Sequence, residues 1–208
     1  AKDLTVNDII FVTFDLGIND ATSLTFSRTD RKNDRLEVIW HYHDINKATK
    51  HYISVLNDFL TANNLKQNNL RLILPHDGKN RHDAMEYLIT REEKYRSEGF
   101  YVNTIRPVNV LESIEVTRSA IQHLDIVFWD TPQVRGMVEL IKQYEWKINK
   151  ASGENTGKPE HGVKLSASNT CDSLEVLAVS MFYDKYIKSR EGQYEDMIPR
   201  DYRGDWRS

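Results

Sequence analysis

The 208-residue sequence lacks what covalent and cysteine-metal scaffolds need: Cys171 is its one cysteine. An intrachain disulfide and a cysteine-based zinc cluster are thereby excluded, and any metal held here must use oxygen or imidazole ligands. No run approaches the roughly 20 apolar residues that carry a helix across a bilayer, and the opening AKDLTVND has neither the basic nor the apolar region of a signal peptide. A soluble, intracellular protein with no membrane association is the expectation. Charge of one sign is also scarce, with a formal net charge of -3. Composition therefore does not announce a nucleic-acid binder, yet it excludes none, because an acidic active site lowers a total that local basic patches raise. With 39% hydrophobic residues the chain can bury one substantial core, and its length fits one domain with a tail.

What is present is a pattern that changes period after three segments. Ile9 to Leu16 (IIFVTFDL) is β-branched and aromatic and ends at Gly17, which predicts a core strand with Asp15 at its exit. Ala21 to Arg28 and Leu36 to His43 predict two more strands, and connections this short predict an antiparallel meander. From Lys47 to Ala62 apolar residues recur at helical spacing behind Asn46 as N-cap. Leu70 to Leu74 predicts a strand stopped by Pro75, and Arg81 to Arg96 a charged helix closed near Gly99. A strand at Tyr101 to Ile105 precedes a helix at Val110 to Leu124, with Leu111, Ile114, Arg118 and Ile121 on one face. Ile126 to Trp129 predicts a short strand, Val134 to Ile148 a helix, Ala151 to Leu165 a loop or weakly ordered hairpin, and Thr170 to about Tyr186 a last helix. The order β-β-β-α-β-α-β-α predicts an α/β mixed sheet flanked by helices over residues 1–186, with 187–208 as an irregular tail.

Three acids stand at comparable places: Asp15 at the end of the first strand, Asp77 just past LRLIL, and Asp172 at the start of the last helix. Strand ends and helix starts can converge at one sheet edge, and hard divalent cations take oxygen ligands. An Asp before a helix is also a common N-cap, and an Asp before Gly a common turn residue. Asp15 is different, because its apolar surroundings make an unpaired charge costly.

The string FDLGINDATSLTFSR resembles the first-strand motif of RNase H-like nucleases. LPHDG, together with the acid in SNTCDSLEVLAVS, resembles the second and third motifs of phage terminase large-subunit nuclease domains, over roughly Ile9 to Tyr186. The resemblance implies an RNase H-like fold, three antiparallel strands followed by parallel ones. It implies a metal-dependent endonuclease that cuts double-stranded DNA with little sequence specificity during viral genome packaging, using one or two Mg2+ or Mn2+ ions. Asp15 would be the central ligand, Asp77 and Asp172 would complete the site, and Asp20 matches a further acidic position that an ordinary turn residue would equally explain. The partners implied are a portal protein, a small terminase subunit and an ATPase motor domain, in the host cell cytoplasm. The chain departs from the family pattern at Ser168-Asn169, where many terminases have Ser-His, and at Ser173-Leu174-Glu175-Val176 in place of Ala-Leu-Arg-Tyr. Asn169 cannot act as a base, which leaves it and His161 as auxiliary candidates. A resolvase or transposase-like nuclease, or a catalytically silent RNase H-like docking module, is the alternative.

Other signals are weaker. Lys79 and Arg81 follow Asp77, and Lys158 and Lys164 precede Asp172; they are candidates for holding the DNA backbone, against ordinary solvated charge. Gly153 to Lys158 has one residue too few between its glycines for a phosphate-binding loop, and Pro159 stands where Ser or Thr should bind magnesium. His41 and His43 share a strand face that is expected to be solvated, Trp40 and Trp129 are expected in the core, and Arg118 is expected in a structural salt bridge.

Overall fold

The computed structural model describes residues 4–16, 21–79, 89–160 and 165–188. β1 (Ile10–Asp15), β2 (Ala21–Asp30) and β3 (Arg35–Ile45) form the expected antiparallel meander. α1 (Thr49–Ala62) then carries the chain back so that β4 (Leu70–Leu74) lies parallel to β1, the crossover that a parallel pair requires. β5 (Tyr101–Thr104) adds parallel to β4, and β6 (Ile126–Phe128) adds parallel to β3. The sheet order is β5-β4-β1-β2-β3-β6. This mixed six-stranded sheet flanked by helices is an RNase H-like α/β fold.

Alternation along the strands sorts the chemistry to two sides. Ile10, Val12 and Phe14 join Leu56 and Phe59 of α1 in one apolar cluster with Leu24, Phe26 and Leu72. Trp40 and Trp129 pack at its margin, as expected of core aromatics. The other side is covered by α5 (Leu165–Tyr183), helped by α3 (Val110–Gln122) and α4 (Pro132–Ile141). Leu36, Val38, Val116, Val134, Met137 and Leu177 belong to its apolar part.

The structure corrects several boundaries. The helix expected over Arg81 to Arg96 is α2 (Arg91–Ser97). Thr90 is extended and starts it through a reciprocal cap, accepting from Glu93 N at 3.1 Å while Glu93 Oε2 accepts from Thr90 N at 2.6 Å; residues 80–88 lie outside those described. Asn46 does not cap α1; its φ is 56°, and Ala48 is the extended residue before the helix. α4 stops at Ile141, because Trp146–Ile148 pairs as β7 with β8 (Asn155–Pro159) in a two-stranded hairpin. Of the two expectations for Ala151 to Leu165, the hairpin is the one observed over its described part. In α3 the buried face runs through Ser113, Ile114, Val116, Thr117 and Ala120, while Leu111 is exposed.

The last helix begins at Leu165, not near Thr170. Ser168, Asn169, Thr170 and Ser173 are weak helix formers that compete for the backbone, which hides the helix start from a reading by periodicity. All four are buried, and bonds to the sheet and to the helix itself hold them there. Among the described residues no helix is long and apolar enough to cross a membrane.

Candidate functional site

Asp15 is the half-buried last residue of β1, opposite Ser23 of β2. Because β4 runs parallel to β1 with Thr13 opposite Ile73, both strands finish at the same edge of the sheet. The chain leaves β4 through Pro75 into a 3-10 turn, His76–Lys79, that carries Asp77. Gly78 lets this turn close against the strands. A Cβ there would lie 2.8 Å from Leu74 Cβ, so any side chain would push the turn off the end of β4. Asp77 is half-buried, and its Oδ1 is buried with no hydrogen-bond partner among the described residues. A carboxylate oxygen in that position is costly unless a cation, a proton or a water supplies the missing partner.

Asp172 does not open α5; it lies about two turns inside it, so capping cannot explain it. Its place on the helix follows from its neighbours. Ser173 faces the sheet, with its carbonyl 2.8 Å from Thr13 Oγ1 and its Oγ 3.0 Å from Ser23 Oγ and 2.8 Å from Thr25 Oγ1. Thr170 is directed at β3, where its Oγ1 lies 3.3 Å from His41 Nε2. Two residues advance an α-helix by about 200°, which turns Asp172 to the opposite flank, toward β1 and β4. Ser168 Oγ donates to Asp172 Oδ2 at 3.3 Å across one helical turn.

In the sequence Glu175 stands out only as a departure from a motif. It is buried, and it accepts a hydrogen bond from Ser113 Oγ of α3. Burial, then the charge of Asp172, pushes its carboxyl up to about 8, while Ser113 and Arg118 oppose the rise. A glutamate inside the apolar run LEVLAV was the available signal. Cys171 is buried beside the same carboxylates and its thiol is pushed up, chiefly by burial, so it is no nucleophile. Arg118 is exposed and forms no salt bridge with the described residues, which corrects the expectation of one; its charge opposes the rise at Glu175, and its guanidinium sits 5.6 Å from the Trp146 ring centroid.

His41 is buried, which corrects the expectation of a solvated strand face. Burial first, then the proximity of His43, lowers its imidazole to about 3. Asn169 is buried as well, and its amide donates to the carbonyl of Ala21 at the start of β2. Lys158 is exposed on β8 and Lys79 belongs to the Asp77 turn. Asp20, Arg81, His161 and Lys164 lie outside the described residues. Among the described residues, no group of three or more His, Cys, Asp or Glu is assembled to hold a metal ion. What the edge does offer is two carboxylates at adjacent strand ends, one of them with a buried oxygen that no described residue satisfies, a donor chemistry that fits a hard divalent cation.

No protein-family model matches the sequence, and no curated protein sequence matches it. Solved structures match its fold. The large terminase of a thermophilic bacteriophage, in complex with ADP, aligns with a TM-score of 0.64 at 16% identity over 84% of this chain and 40% of that chain. The large terminase nuclease domain of P22 aligns with a TM-score of 0.60 at 12% identity over 90% of this chain and 85% of that one. The large terminase nuclease domain from the bacteriophage SPP1 with bound Mn aligns with a TM-score of 0.52 at 16% identity, over 83% of this chain and 86% of that one. At such identities the likeness is one of fold. The chain spans about 40% of the length of the whole large terminases it matches.

Proposed function

We propose that this chain is a metal-dependent endonuclease domain that hydrolyses double-stranded DNA with little sequence preference, as part of a phage large terminase. The observation that carries the proposal is the orphaned Asp77 Oδ1 at the edge where Asp15 also leaves the sheet. The fold it shares with terminase nuclease domains, one solved with bound Mn and another with bound cobalt, supports the same reading.

In this reading Asp15, Asp77 and Asp172 hold one or two Mg2+ or Mn2+ ions, with Asp20 as a further candidate ligand. When bound, such ions activate the attacking water and stabilise the leaving oxygen of a phosphodiester. The chain's own contribution is position. β2 and β4 pin β1 from both sides as far as Thr13, and β2 pairs Asp15 itself. Gly78 keeps the Asp77 turn close, and Ser168 restrains the Asp172 carboxylate. Asn169 ties α5 to the first residue of β2 and supplies no base. Lys79, Arg81, Lys158 and Lys164 would hold the DNA backbone without reading bases, and His161 remains an auxiliary candidate. A portal ring, a small terminase subunit and an ATPase motor domain are the proposed partners, in the cytoplasm of an infected cell.

The test is plasmid nicking by Asp15→Asn in Mg2+ and in Mn2+. The expected result is loss of nicking with an unchanged circular dichroism spectrum and melting temperature. Nicking near the wild-type rate would refute the mechanism.

A further inference from the structure

α5 is held by different kinds of contact along its length. Near its start Ser173 meets Thr13, Ser23 and Thr25 of the sheet through directional bonds. Farther along, Leu174, Leu177 and Ala178 enter an apolar cluster with Leu36, Val38 and Val116, where contacts have no preferred direction and resist lengthwise sliding weakly. Glu175 and Tyr183 bond Ser113 and Glu112, which ties α5 to α3 and not to the sheet. Beyond Tyr183 the chain continues into a π turn, Asp184–Lys188. Such turns are rare and are found often at functional sites.

Asp125, between α3 and β6, joins all three parts. Its N–H donates to the Ala120 carbonyl at 2.9 Å, closing the end of α3, and its carbonyl accepts from Leu36 N at the head of β3 at 2.7 Å. Leu124 before it takes a φ of 59° while 65% exposed. A bulky side chain enters that left-handed region only where the surroundings impose it, and here the turn is what returns Asp125 to Ala120. Asp125 is buried, and its Oδ2 accepts from Lys185 Nζ at 2.5 Å and from the Tyr186 hydroxyl. The Tyr186 ring also lies 5.5 Å from that of His123. Two consecutive residues of the π turn thus end on one oxygen whose place is set by α3 and β3.

Asp172 and Lys185 lie about 20 Å apart along the helix. A helix moves as a rigid element, so a slip at one end is a slip at the other, and a site residue tolerates only about 0.5 Å of it. We propose that Asp125 is a positioning residue for the Asp172 carboxylate, holding α5 lengthwise through Lys185 and Tyr186. That Asp172 meets a metal rests on the nuclease reading. Hydrogen exchange and a Mn2+ titration of the melting temperature, both on the full chain, test it. When Lys185→Ala is combined with Tyr186→Phe, amides from Ser168 to Ser173 exchange several-fold faster relative to that of Val12 in β1, which corrects for any loss of global stability. The Mn2+ concentration for half of the rise in melting temperature increases several-fold as well. Lys185→Arg, which keeps a charged donor, stays at the wild-type values in both. Faster exchange confined to Phe182 to Lys188, with an unchanged Mn2+ midpoint, overturns the proposal and leaves the nuclease reading intact. A wild-type chain with neither a Mn2+-dependent rise nor plasmid nicking removes the nuclease reading, and exchange from Ser168 to Ser173 then decides by itself whether Asp125 places Asp172.

Discussion

β1 shows two chemistries to its two sides. Ile10, Val12 and Phe14 face α1 across a dry cluster in which only shape and volume matter, whereas Thr13 and Asp15 face α5 across a layer of hydroxyls and amides. A dry cluster tolerates small slips of one element over another, since apolar contacts are not directional. A buried hydroxyl layer does not, because each displaced group loses a partner it cannot replace. The α5 side is therefore the one that fixes the height of a helix over the sheet. Ser173 meets β1 and β2 directly, and Asp172 is its neighbour in the chain. Stability is concentrated on one side and placement on the other.

Substitutions can break or sharpen that division. The largest effect is on activity, where Asp15→Asn should remove nicking while leaving the denaturation midpoint in place. The largest effect on stability belongs to the α1 side. Phe14 is fully buried, with its ring 5.3 Å from that of Tyr95, and Phe14→Ala should cost about 3–5 kcal/mol in urea denaturation. Nicking per folded molecule should be unchanged, and a loss there larger than the unfolded fraction explains would break the comparison. Ser173→Ala should be milder, about 1–3 kcal/mol, because the hydroxyls of Ser23 and Thr25 lose the Oγ they share. Unlike Phe14→Ala it should also slow nicking of the folded fraction, through looser placement of Asp172.

Much of the α1 side was legible in the sequence, and less of the α5 side. Period-2 and period-3.6 apolar patterns located β1 to β4 and α1 to within a few residues, since burying those side chains is what the pattern encodes. The helix that carries Asp172 starts at Leu165, five residues before the Thr170 that its apolar period indicates. Its first turns are written in Ser, Asn and Thr, whose helical state depends on partners far along the chain, and no local pattern reports those. His41 was misplaced for the same reason, as its burial comes from Thr170 on α5. The short turn around Asp77 was legible from Pro75 and Gly78, and the close approach that demands Gly78, to Leu74 Cβ, is local; that the turn also lies against Leu16 shows only once β1 and β4 pair.

The pH dependence of stability divides by side as well. Burial lowers His41 from its ordinary 6.5 to about 3, so between these values the unfolded chain binds a proton that the folded chain refuses. The stability this group contributes is complete above pH 6.5 and is lost as pH falls toward 3. Glu175 has the opposite sign. Raised from 4.5 to about 8, it holds a proton in the fold that the unfolded chain releases, so its contribution is complete below pH 4.5 and is lost as pH rises through 8. In a series of melting temperatures against pH, His41→Gln should flatten the acid limb and Glu175→Gln the alkaline limb. Leu56→Val, on the α1 side, should lower the melting temperature by the same amount at every pH, because the pocket around Leu56 belongs to the apolar cluster. A steep alkaline limb surviving in Glu175→Gln would mean that the buried carboxylate beside Asp172 is charged in the fold. The α5 side would then hold two adjacent negative charges, and the demand for a cation there would be stronger than one orphaned oxygen at Asp77 implies.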